Sequence, residues 1–92
     1  MLPLKNYYER FIKDDVIGRK REVVLDRLNH LLACAVISKN TRDVVHIRYF
    51  TCTINDEPTD IYLGTIAIRF ENGYVVETAI SVPENKKSPN KK

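Results

Sequence analysis

The stretch from Lys20 to Ser38, KREVVLDRLNHLLACAVIS, constrains the fold more than any other part of the chain. Val24, Leu25, Leu28, Leu31, Leu32, Ala35 and Val36 recur at spacings of three and four, which places them on one stripe of a 3.6-residue helix. Glu22, Asp26, Arg27 and Asn29 fall off that stripe, so the first half reads as amphipathic. From Leu31 to Ile37 seven apolar residues follow one another, and Ala33, Cys34 and Ile37 occupy the side that was polar one turn earlier. That end needs cover on more than one side, from the chain's own strands and first helix or from a second copy of the chain in a homodimer. Periodicity alone leaves two assignments for it. One is a helix continuous to Ser38, the expectation taken forward; the other is a helix ending near Leu32, followed by a β-strand over 33–38.

A chain of 92 residues with 43% apolar and 29% charged side chains has the composition of a single ordered globular domain, expected over 1–82. Nothing approaches the run of about eighteen apolar residues that a membrane helix needs. The N-terminal MLPLKNYYERF lacks a signal peptide's apolar core, which points to the cytoplasm and away from membranes. Cys34 and Cys52 show no CxxC spacing and are expected to stay reduced in that setting. His30 and His46 form no metal-binding pattern with them, so neither a metal nor a cofactor is expected. Residues 83–92 form a basic tail whose Lys86, Lys87, Lys91 and Lys92 face only Glu84, and this tail supplies the whole net charge of +3.

Leu4, Tyr7, Tyr8, Phe11 and Ile12 predict a short amphipathic helix over 3–13, opened by Pro3. Asp14, Asp15 and Gly18 then separate it from the long helix. Arg19-Lys20-Arg21 is the densest basic cluster before the tail, and cations at a helix N-terminus oppose its dipole. Either Arg21 pairs with Asp26 or Glu22 on a solvated first turn, or the triplet makes an external contact.

Lys39 and Asn40 predict the helix end, and Thr41-Arg42-Asp43 a turn. Val44 to Ile54 reads as a strand with Val45, Ile47 and Tyr49 on one face early and Phe50, Cys52 and Ile54 forming an apolar face late, and a bulge near Arg48 to Phe50 reconciles the two. After an acidic loop around Pro58, Ile61 to Phe70 is a second strand, with Tyr62, Ile66, Ile68 and Phe70 on one face. Tyr74 to Val82 is a third, with Tyr74, Val76, Ile80 and Val82 on one face. A three-residue loop with Gly73 left-handed, pairing Phe70 with Tyr74, keeps apolar faces together better than a two-residue Asn-Gly turn. Gly64 leaves room for a helix to approach closely. The expected fold is therefore α+β: a short helix and a long core helix packed on a three-stranded antiparallel meander, in two layers. The sheet face carrying Thr51, Thr65, Arg69 and Glu77 is left for solvent or another molecule.

No GxSxG, P-loop, GxGxxG or zinc spacing is present, and no catalytic residue is assigned. The element order resembles that of double-stranded-RNA-binding domains, whose terminal helix with a basic N-terminus has no counterpart here. The leading expectation is a non-catalytic protein that docks on and occludes a surface of a protein or nucleoprotein complex. In size and character, though in no motif, it is similar to small phage or mobile-element inhibitors of host machinery, anti-CRISPR proteins among them. Arg10, Lys13, Arg19, Lys20, Arg21, Lys86 and Lys87 are the expected contacts, and the alternative is a small nucleic-acid-binding domain using the Arg19-Lys20-Arg21 cluster and the lysine tail.

Overall fold

The computed structural model describes residues 3–31 and 33–83. Helix α1 (Leu4–Tyr7) continues into a π-helical turn over Tyr8–Ile12, closed by Lys13 N–H donating to the Tyr8 carbonyl at 2.8 Å. Helix α2 spans Arg21–Leu28. Strands β1 (Cys34–Asn40), β2 (Val44–Cys52), β3 (Pro58–Glu71) and β4 (Tyr74–Ser81) form one antiparallel sheet in chain order.

The long core helix and three-stranded sheet expected from periodicity are corrected to two short helices and four strands. Helix α2 ends at Leu28, whose carbonyl accepts the buried Tyr49 hydroxyl at 3.2 Å, and the His30 imidazole folds back to 2.6 Å from the Asp26 carbonyl. The amides of His30 and Leu31 donate to the Arg27 and Leu28 carbonyls at 3.1 and 3.3 Å, three-residue bonds that tighten and close the last turn. Residues 34–40 then pair with β2, from Cys34 opposite Phe50 to Asn40 opposite Val45. The branched side chains of Val36 and Ile37 suit a pleated edge, and a strand divides the apolar run between two faces where a helix would expose part of it. Lys39 and Asn40 accordingly end a strand rather than a helix, while Thr41-Arg42-Asp43 does form the turn.

Both helices lie on one side of the sheet. Tyr8, Ile12, Val16, Val24 and Leu28 pack there against Val45, Ile47, Tyr49, Ile66, Ile68, Phe70 and Val75. The close approach expected at Gly64 is present. A Cβ there would stand 2.9 Å from the Ser81 carbonyl and 3.0 Å from a Leu4 methyl, so α1 seats its first turn on a residue without a side chain.

The β3–β4 register differs from expectation. Asn72 and Gly73 take φ of 55° and 84° and form a two-residue turn with Glu71 opposite Tyr74 and Phe70 opposite Val75. Positive φ at both central residues matches the twist of the flanking strands, the condition that favours Asn-Gly hairpins. An extra residue on β4 at Val76 then shifts the register so that Arg69 faces Glu77 and Ile68 faces Thr78. That bulge puts Thr78 and Ile80 on the helix side with Val75, so that Tyr74, Val76 and Val82, expected to share an apolar face with Ile80, are exposed instead. Cys34 and Cys52, expected to be free thiols, are joined in a disulfide with Cα atoms 5.5 Å apart. The pairing of β1 with β2 brings them together, an adjacency that a continuous helix would not create.

Candidate docking surface

Alternation along β2 divides its side chains between the two faces of the sheet. Val45, Ile47 and Tyr49 face the helices, while Val44, His46, Arg48 and Phe50 face away from them. Register places Val36 and Thr65 beside Arg48, and Tyr62 beside Phe50. Tyr62 was expected on the inner face with Ile66. It is outward because one extra residue, Leu63, lies on β3 between the partners of Tyr49 and Phe50 and packs toward the core.

The result is a cluster made of neighbours on two strands. The Phe50 and Tyr62 rings lie 5.7 Å apart at 54°, and the Arg48 guanidinium carbon stands 5.3 Å and 5.2 Å from their centroids. The Tyr62 hydroxyl hydrogen-bonds the Thr65 hydroxyl, which fixes the ring. At the other end of this face Arg69 donates to Glu77 at 2.9 Å and to Glu71 at 2.8 Å. The hydrogen bond it donates to Glu77, then that to Glu71, raises the Arg69 pKa above its ordinary value. Between the two groups Ala67 and Ala79 floor a shallow recess of about 260 Å³ beside His46. Thr65, Arg69 and Glu77 match the expectation for this side, whereas Phe50, expected on an apolar face with Cys52 and Ile54, and Tyr62 join Arg48 here instead.

The expected basic contacts are dispersed. Arg19 is held by Asp15, through the Asp15 carbonyl at 2.7 Å and its carboxylate at 3.5 Å, and Asp15 also takes Arg27 at 2.6 Å. Arg21 turns inward: its guanidinium lies 5.6 Å from the Phe70 centroid and donates to Asn40 rather than to Asp26 or Glu22. Its Nε is buried without an acceptor among the described residues. Lys20 lies in a bridge to Tyr74, where residues 18–21 cover the start of the β4 edge. Arg10, Lys13 and Lys20 are exposed and make no ion pair among the described residues. Lys86 and Lys87 lie outside the described residues, as does the tail after Pro83.

A larger polar cleft of about 940 Å³ separates the β1–β2 and β3–β4 turns. Its charged walls, Arg21 and Arg42 against Asp43 and Glu71, offset one another. Among the described residues no three His, Cys, Asp or Glu side chains are grouped to hold a metal ion, and no helix is long and apolar enough to cross a membrane. No family model matches the chain, and no curated protein or solved structure does either.

Proposed function

We propose that this chain is a non-catalytic docking protein that covers a surface of a protein or nucleoprotein complex with the helix-free face of its sheet. The observation that carries the reading is the Arg48–Phe50–Tyr62 cluster on a face that no other element of the described chain covers. Arg and Tyr are the side chains most often responsible for affinity at interfaces, because they combine large contact area with polar handles. Here they are held in place before binding, which reduces the ordering cost of association. Exposed Arg10, Lys13 and Lys20 would add long-range attraction toward an acidic or RNA-containing target.

The finer reading, a phage or mobile-element inhibitor of host machinery such as an anti-CRISPR protein, is supported by size and by this reliance on contact. A cytoplasmic home, proposed with it, requires the Cys34–Cys52 bond to persist where thiols are normally kept reduced.

A nucleic-acid reading has one observation in its favour: Phe50 and Tyr62 with Arg48 on an open sheet is the arrangement on which unstacked bases can stack. Capture of partners from native cells with and without nuclease separates the two. Nuclease-resistant capture, reduced at least about tenfold by a combined Arg48→Ala and Tyr62→Ala change, is expected from one to two lost interface anchors. Capture that nuclease abolishes, or that the double variant retains, rejects the protein-docking reading.

A further inference from the structure

The β2–β3 hairpin extends past the rest of the sheet. Pairing of β1 stops at Cys34 opposite Phe50, and pairing of β4 stops at Ser81 opposite Thr65. The hairpin beyond those points is therefore a two-stranded finger, a construction of marginal stability in water. This one is fastened at several levels. The Cys34–Cys52 disulfide ties its base to β1, and Cys34 Sγ lies 3.4 Å from the Asp56 carbonyl. Thr51 and Thr59 join their hydroxyls across it. In the loop, Thr53 Oγ1 accepts the amides of Asn55 and Glu57, both at 3.2 Å, and the Thr53 amide donates to the Glu57 carbonyl at 2.7 Å.

That rigidity covers no core. It holds Ile54 at 97% exposure, with Ile61 on the flank at 62%, the two most exposed large apolar side chains described. Asp56, Glu57 and Asp60 surround them and form no ion pair among the described residues. The strands that lead to the tip also carry Arg48, Phe50 and Tyr62, so finger and platform form one continuous surface.

From this geometry we infer that the finger inserts Ile54 into an apolar pocket rimmed by Lys or Arg on a protein partner. The inference rests on the docking reading and names the partner's chemistry. Three carboxylates around the tip, without an ion pair among the described residues, favour a basic rim and repel phosphates, so the complementary surface is protein rather than nucleic acid. A pocket that buries the whole side chain gains what water loses at an exposed isoleucine, while the fastened loop has little freedom left to lose.

The test places the photoreactive residue p-benzoylphenylalanine at position 54 or, separately, at position 36, beside Arg48 on the docking face, of the full chain expressed in its native cells. The expected result is an adduct at position 54 with a protein whose cross-linked segment carries apolar residues flanked by Lys or Arg. Affinity for that purified protein should then fall at least about thirty-fold on Ile54→Asp. It should also weaken with Asp56→Lys and with rising ionic strength. Ile54→Asp should leave the melting temperature unchanged, since the side chain buries nothing in the free chain. An adduct at 36 but none at 54 overturns the finger and keeps the docking face; no adduct at either position overturns both. An adduct at 54 with nucleic acid or with a second copy of the chain, or equal affinity for Ile54→Asp, also overturns the inference.

Discussion

Along one strand, Tyr49 has no exposure and Phe50 next to it faces away from the helices in a cluster open on one side. The two faces of the sheet arise from the same alternation yet are stabilised differently. Inner side chains pack on residues distant in sequence, on both helices, whereas outer ones interact sideways with neighbouring strands, Arg48 with Phe50 and Tyr62, Arg69 with Glu71 and Glu77. Long-range burial supplies most of the folding free energy. Lateral contacts contribute little to it, so their residues can be replaced without loss of the fold, and a contact function can occupy them.

The sharpest way to break this comparison is to truncate one phenylalanine on each face. Phe70→Ala removes a ring that is 2% exposed and lies under the Arg21 guanidinium, and should cost about 3–5 kcal/mol in urea unfolding. Phe50→Ala should cost about 1 kcal/mol or less, because its ring is already partly solvated and its pairing energy is that of a cross-strand contact. Equal losses would show that both faces carry the fold.

The next largest effect tests whether the finger belongs to the fold or only to the surface. Replacing both Cys34 and Cys52 with Ser opens a loop of 18 residues' separation. Constraint of the unfolded chain by a loop of that length is worth about 3 kcal/mol. Thermal unfolding should shift accordingly, and mass spectrometry after alkylation of the untreated native chain should show no free thiol. Alkylation at both cysteines in that chain would remove the staple from the account.

How much of this was legible beforehand follows from how local each signal is. The inward set Val45, Ile47 and Tyr49 was readable because strict alternation is a property of the strand itself. The fate of 34–40 was not, since a run of apolar residues satisfies helix and strand periodicity alike and the deciding partner, β2, lies ten residues ahead. Two single-residue bulges hid the rest. Val76 lets the Asn72-Gly73 turn keep its preferred geometry, and Leu63 sends Tyr62 to the outer face. Both depend on pairing that no window of sequence contains, and the Arg48 cluster and the disulfide inherit that dependence. The basic triplet was visible, but the partners that divide it, Asp15, Asn40 and Phe70, come from three separate elements.

A smaller effect belongs to the turn joining β3 and β4, which both faces need for their register. Gly73→Val places a branched side chain at φ of 84°, which should cost about 1–2 kcal/mol. The position has nothing within 4 Å of a built Cβ, so the penalty is conformational rather than steric contact with neighbours. Wild-type stability for this variant would show that the hairpin takes another turn in solution.

Tyr49 separates the faces by pH. Burial, helped by the nearby Tyr7, pushes its hydroxyl well above tyrosine's ordinary pKa of about 10. A group whose folded pKa is raised contributes stability that is complete below the unfolded value and is lost as pH rises toward the folded one. Stability should therefore fall above about pH 10. Tyr49→Phe should flatten that slope at a cost near neutrality of about 0.5–1.5 kcal/mol, the worth of its bond to the Leu28 carbonyl. An alkaline limb unchanged in Tyr49→Phe would place the titration elsewhere.

The smallest change in stability should come with a large change in contact, at Arg48. Its guanidinium stands over two rings on an exposed surface, where a cation–π contact is worth about 0.5–1 kcal/mol. Arg48→Ala should thus shift the urea midpoint barely beyond error while weakening partner binding at least about tenfold, a ratio that no inner-face substitution can produce. Arg48→Lys sharpens the point, because an ammonium keeps the charge but loses the flat stacking surface. If Lys restores binding fully, attraction at a distance is sufficient and the rings are incidental. If it does not, the planar group held against Phe50 and Tyr62 is what the partner meets.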